Sequence, residues 1–306
     1  MQQEMGVSSL NLPVNPDLLI LFIAHLYCRG YASSTVLTYI SAIGYVHRLA
    51  GLPDPTESHL IKTALKGYVK LAPSIDKRLP ITLPILLQLG NAFNHTLPSL
   101  YKIRLFKAMC ALAFFAALRV GEITSRANTP PSRILQIDQL SFLRNRDSKI
   151  ETVKIIMRNF KHGSLFQPSE LLVHRENTAM CPVSLLSEYI AVRGSRPGPL
   201  FVHTDGSAVA REFFTTELQK ALQFCKLDPT RYKSHSFRIG AASLAAAKGF
   251  SDAQIRQFGR WKSSAFLKYI RNSSLSTKST AVTLHTTKEI CATSKGRGTS
   301  FSQHTL

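Results

Sequence analysis

The chain has 306 residues, with 38 Lys plus Arg against 18 Asp plus Glu, a formal charge of +20. A hydrophobic content of 44% is ordinary for a folded globular protein and excludes pervasive disorder. The longest apolar run, residues 108–118, is too short for a membrane-spanning helix, and no basic region precedes the apolar patch 18–24, so neither a membrane protein nor a secreted one is expected. The five cysteines (Cys28, Cys110, Cys181, Cys225, Cys291) are odd in number, scattered and without a C-x-x-C pair. Neither a disulfide framework nor a structural metal is indicated, and the thiols read as reduced.

Residues 1–14 read as a polar leader. Asn15 is placed to cap a helix with Pro16 at its first position, and Leu18, Leu19, Phe22, Ile23 and Leu26 form its apolar face. A second helix is expected over 34–49, with a stripe of Val36, Tyr39, Ile40, Ile43 and Val46, and a third over 57–70. These make a small helical domain, 15–72. The three prolines and the Lys77-Arg78 pair that follow suggest a linker over 73–84, leaving a second domain over 85–271.

In that second block helices fit 84–95 and 99–118. Short strands fit 153–160 and 170–174, around a turn at Lys161-His162-Gly163-Ser164. Pro182 opens a helix that stops at Gly194, and 200–202 reads as a short strand ended by Asp205-Gly206. Further helices fit 210–225, 236–248, 252–258 and 264–271, with Ser251 and Gln254 as a capping box and Gly259 as a stop. The tail, 272–306, has 15 Ser or Thr and little apolar periodicity, so it is expected to be disordered. The fold class is therefore mainly α with a small β-sheet.

The positive charge is uneven. Residues 81–271 carry 27 basic and 12 acidic side chains, against 7 and 5 in residues 1–80. So large an excess repels itself unless a polyanion neutralises it, and nucleic acid is the commonest such partner. No Lys/Arg-faced amphipathic helix suggests a membrane surface.

Three stretches carry chemistry. His235-Ser236-Phe237-Arg238 places an imidazole and a guanidinium three positions apart, at the edge of a helix N-terminus where the dipole favours an anion. Gly259-Arg260-Trp261-Lys262 then separates two short helices, the second carrying Tyr269, while Ala117-Leu118-Arg119-Val120-Gly121-Glu122-Ile123 lies far upstream. With these residues the chain resembles the tyrosine recombinases of the phage-integrase superfamily. The wording HSFRIGAAS, GRW and AFLKYIR is most similar to recombinases of eukaryotic mobile elements of the DIRS, Ngaro or Crypton kind.

The resemblance covers about 15–271. It implies a SAM-like helical core-binding domain followed by an integrase-like catalytic domain, and a site-specific recombinase that cuts and rejoins double-stranded DNA through a 3′-phosphotyrosine intermediate. It further implies a homotetramer on DNA, no metal or other cofactor, and a nuclear location if the source is eukaryotic, cytoplasmic otherwise. The catalytic positions it implies are Arg119, Lys161, His235, Arg238, Trp261 and Tyr269, with Glu122 in support. Lys149 and Lys154 compete with Lys161 as the strand-turn lysine. Arg211, Lys233, Arg260 and Lys262 border the motifs and are expected to hold adjacent phosphates.

The residue types suit that chemistry. Two guanidiniums offer rigid forked donors to the oxygens of a pentavalent phosphorane. A tyrosine with a pKa near 10 is ionised about one part in a thousand at pH 7, a deficit of about 4 kcal/mol, so it needs a base and cationic surroundings. A lysine on a turn suits protonation of the leaving 5′ oxygen, and an indole N–H suits a non-bridging oxygen. Three rival readings are a type IB topoisomerase, an inactive domesticated DNA-binding protein and a basic RNA-binding module, the last lacking an aromatic stacking signature.

Overall fold

The computed structural model describes residues 12–71, 76–127, 130, 133–158, 168–261 and 263–270. The chain divides into two compact units, Met1–Lys77 and Arg78–Leu306. No described helix is long and apolar enough to cross a membrane.

The first unit is built from α1 (Pro16–Cys28), α2 (Ser33–Leu49) and α3 (His59–Leu71). Asn15 caps α1 by accepting the Asp17 N–H at 2.8 Å, with Pro16 opening the first turn. Leu19, Ile23 and Leu26 of α1 pack with Val36, Ile40, Ile61 and Tyr68 in one core. The stripe of α2 differs from the expected one, because Tyr39 and Val46 are exposed and Gly44 and His47 are buried instead. A Cβ at Gly44 would lie 2.7 Å from the Asp54 carboxylate, so the turn before α3 sits directly on the helix backbone there. His47 Nε2 accepts the Val14 N–H at 2.9 Å and ties the entering chain to α2.

The second unit is organised around α5 (Leu100–Phe115), which is apolar on nearly every side and buried from Leu105 to Phe114 except Lys107. It packs against α4 (Leu83–Thr96), α7 (Pro182–Arg193) and α9 (Ser236–Ala247). α4 also packs on α8 (Arg211–Phe224). The expected helix 99–118 ends three residues early. Ala117 turns to φ 44, which frees its carbonyl from the helix, and a short α6 (Val120–Ile123) follows.

The sheet has three antiparallel strands in the order β1 (Leu140–Arg144), β2 (Ile150–Met157), β3 (Ser169–His174). β1 was not expected; it is short and half-exposed, so its sequence alternates little. Val153, Ile155 and Met157 of β2 point into the core, as strand periodicity requires. The expected strand at 200–202 is buried chain held by isolated bridges, Gln136 to Pro199 and Val202 to Ala208. The expected turn 161–164 and tail 272–306 lie outside the described residues.

The second half of the expected linker belongs to the second unit. Leu79 N–H donates to Arg231 O at 2.8 Å, Ile81 N–H donates to Ser236 O at 3.0 Å, and the Ile81 side chain is fully buried. This extended segment crosses α9 where the helix has no side chain: a Cβ on Gly240 would meet the Ile81 carbonyl oxygen at 1.8 Å. Gly240→Ala therefore forces backbone apart, and a loss of about 1–3 kcal/mol is expected in urea unfolding. A variant as stable as wild type would show that 79–81 is not held against the helix.

Candidate active site

Three separate stretches of chain converge on one buried cluster of charge. Arg119 sits at the start of α6, with its N–H donating to Glu122 Oε2 at 2.9 Å and its Nη1 donating to Glu122 Oε1 at 2.9 Å. The same carboxylate accepts Arg260 Nη2 at 2.8 Å. Glu122 and Arg260 side chains are 7% and 4% exposed, while Arg119 retains 19%. The carboxylate is thus spent on internal cations, and the Arg119 guanidinium is the member that keeps a face toward solvent.

Arg238, in the first turn of α9, is buried to 1%. Its Nη1 donates to Ala117 O and its Nη2 donates to Gly259 O at 2.8 Å. The premature end of α5 and the end of α10 (Asp252–Gly259) therefore supply the acceptors that hold this guanidinium. Its planar group also lies over the Trp261 ring, 4.5 Å from the centroid. Burial, then the Arg119 and Arg260 charges, push Arg238 down to about 9, so it remains a cation at neutral pH.

The corner after α10 is tightly specified. Ser251 and Gln254 cap that helix reciprocally, as expected. Its stop differs in detail: Arg260, not glycine, takes the left-handed conformation at φ 53. Gly259 is required for another reason, since a Cβ there would overlap the Trp261 ring at 1.6 Å. Trp261 is itself buried, in an apolar cluster with Ala242, Ala245, Ile255 and Phe266.

Tyr269 ends a 3-10 turn, Ser264–Tyr269, where a longer α-helix was expected. Its carbonyl accepts the Ser243 hydroxyl of α9 at 3.2 Å. Its ring lies 5.5 Å from that of Trp261 and nearly parallel to that of His235, with centroids 6.3 Å apart. His235 occupies the N-cap position of α9 without a capping hydrogen bond from its side chain. Burial first, then the charges of Arg78, Arg238, Arg211 and Arg119, hold its pKa down to about 4. The imidazole is neutral at physiological pH.

Arg119, Glu122, His235, Arg238, Trp261 and Tyr269 are thus brought together. Arg211 joins the edge, donating through Nη2 to Ser234 Oγ at 2.9 Å, and burial lowers its pKa. Lys233 is exposed beside α9. Arg260 departs from the expected surface phosphate contact: desolvation is tolerable for it because Glu122 neutralises it inside. Lys161 and Lys262 lie outside the described residues. Of the competing lysines, Lys154 is engaged on the sheet with Glu170 at 2.6 Å. Arg78, which the motifs do not mark, also places its charge near His235. The only signal in its sequence was the Lys77-Arg78 pair, which reads equally well as linker charge. No cluster of metal-ligating side chains occurs among the described residues.

No family model matches the chain, and no curated protein matches it. Solved structures do share its fold. A lambda integrase (75–356) dimer bound to a COC′ core site has a TM-score of 0.57 at 14% identity, covering 89% of this chain and 86% of that one. The Tn1549 transposon integrase (82–397) in complex with circular intermediate DNA has a TM-score of 0.54 at 12% identity, covering 88% and 85%. XerH site-specific recombinase in a post-cleavage complex with palindromic difH has a TM-score of 0.54 at 14% identity, covering 91% and 72%. The chain has an integrase-type fold, mostly helical with a small three-stranded sheet.

Proposed function

We propose that this protein is a site-specific tyrosine recombinase acting on double-stranded DNA. The observation that carries the reading is the convergence of Arg119, Arg238 and His235 on the turn that bears Tyr269, in a fold like that of DNA-bound integrases. The Tyr269 oxygen attacks a backbone phosphorus, the bond from phosphorus to the 5′ oxygen breaks, and a 3′-phosphotyrosine ester forms. His235 takes the phenolic proton, and Lys161 gives a proton to the departing 5′ oxygen. Arg119 and Arg238 stabilise the charge that gathers on the non-bridging oxygens. Reversal by the 5′ hydroxyl of another strand completes exchange in a synaptic tetramer, and the motif wording favours a mobile element of the DIRS, Ngaro or Crypton kind as the source.

Incubation with a duplex nicked just 3′ of the cleavage position, so that the short fragment bearing the new 5′ hydroxyl diffuses away after cleavage, tests this. An SDS-resistant protein–DNA adduct is expected without added metal. Tight DNA binding with no adduct on any nicked target would leave a DNA-binding protein without strand transfer.

The state of His235 sets a pH dependence. Its folded pKa lies below the ordinary histidine value near 6.5, so the unfolded chain binds the extra proton between about pH 6.5 and 4. Its contribution therefore makes stability fall as pH is lowered through that window. Cleavage under subsaturating DNA is expected to show its histidine limb near pH 4. A limb with a midpoint near 6.5 would mean that the imidazole is not held neutral by its surroundings.

A further inference from the structure

The corner at Gly259-Arg260 touches both guanidiniums assigned to the phosphate. Its Gly259 carbonyl accepts from Arg238, and its Arg260 side chain shares Glu122 with Arg119. Neither link was expected, since Arg260 reads from sequence as a surface charge. The electrostatics are as informative as the geometry. An Arg119–Glu122 pair alone is neutral overall, and a full carboxylate beside Arg119 would cancel much of its pull on a phosphate. Arg260 restores a net charge of +1 to the three-residue cluster, and it does so from the interior, at 4% exposure. Its planar fork suits sharing one carboxylate with a second arginine.

We infer that Arg260 is a positioning residue for strand cleavage, which anchors Arg119 through Glu122 against the same corner that holds Arg238 and keeps the Arg119 cluster cationic. The inference rests on the strand-cleaving function proposed above. It also gives the left-handed backbone at Arg260 a purpose. That conformation is uncommon for a residue other than glycine, and it lets a side chain leave the end of α10 toward α6 while the next residue, Trp261, covers Arg238.

The test compares single-turnover cleavage at saturating protein with DNA affinity for wild type, Arg260→Leu, Arg260→Lys and the double variant Arg260→Leu/Glu122→Gln. Arg260→Leu leaves Glu122 partnered by Arg119. It is expected to slow cleavage about 100-fold with affinity within about threefold. Arg260→Lys restores the charge without the fork and is expected to fall between the two. The double variant removes the carboxylate charge that Arg260 had balanced, and at least about a tenfold recovery over Arg260→Leu is expected. A purely structural role would give no such recovery. Trp261 is the sole tryptophan of the chain, so its emission reports directly whether the corner has moved.

Wild-type cleavage by Arg260→Leu, a loss confined to DNA affinity, or a double variant no faster than the single one would each overturn the inference while leaving strand cleavage intact. Should Arg260→Leu fail to fold, a folded Arg260→Lys protein with the wild-type rate overturns it instead. Absence of any adduct from wild type removes the proposed function, and this inference with it.

Discussion

Tyr269→Phe is expected to lower strand cleavage by about 10⁴-fold or more while changing DNA affinity by no more than about threefold. Phenylalanine keeps the ring that lies parallel to His235 and packs beside Trp261, and it keeps the backbone carbonyl that accepts from Ser243. Only the hydroxyl is lost. A loss of this size is what removal of a nucleophile produces when binding and transition-state stabilisation stay in place. The adduct assay on nicked duplex measures the rate, and fluorescence anisotropy at fixed salt measures affinity. An adduct that forms at a tenth of the wild-type rate would assign the nucleophile elsewhere.

Glu122→Ala has the second large effect expected, on stability as much as on activity. The carboxylate is 7% exposed and holds Arg260, which is more deeply buried still, together with Arg119. Removing it leaves two guanidiniums without their shared counter-charge in a site that already contains Arg238. Breaking a buried pair by deleting one partner costs about 3–5 kcal/mol, because an uncompensated charge stays behind. Glu122→Gln, of the same shape and still an acceptor, is expected to lose less. Equal stability of wild type and Glu122→Ala in urea would show that the cluster is solvated and not internal.

Much of this architecture was legible from the chain. The helices of the first unit announce themselves through Asn15-Pro16 and the spacing of Leu19, Ile23 and Leu26. The chemistry-bearing motifs announce themselves through residue types that rarely occur together. What escaped reading was set by tertiary contact. Helix α5 stops at Phe115 in mid-run because Arg238, more than a hundred residues away, takes the Ala117 carbonyl. Residues 79–81 look like the end of a linker, and become core only because Gly240 leaves room for their backbone. Arg260 looks like any surface arginine beside a basic motif, and its partner Glu122 is 138 positions distant. Local patterns specify helices and candidate residues, whereas the pairing of buried charges is decided by which loops meet.

The central claim is a covalent bond between one phenol and one DNA end, and peptide mapping of the trapped adduct reads it directly. After protease and nuclease digestion, mass spectrometry is expected to find the peptide containing Tyr269 carrying a nucleotide through its 3′ phosphate, with a free 5′ hydroxyl on the released strand. A nucleotide attached to another residue, or attached through a 5′ phosphate, would contradict the account.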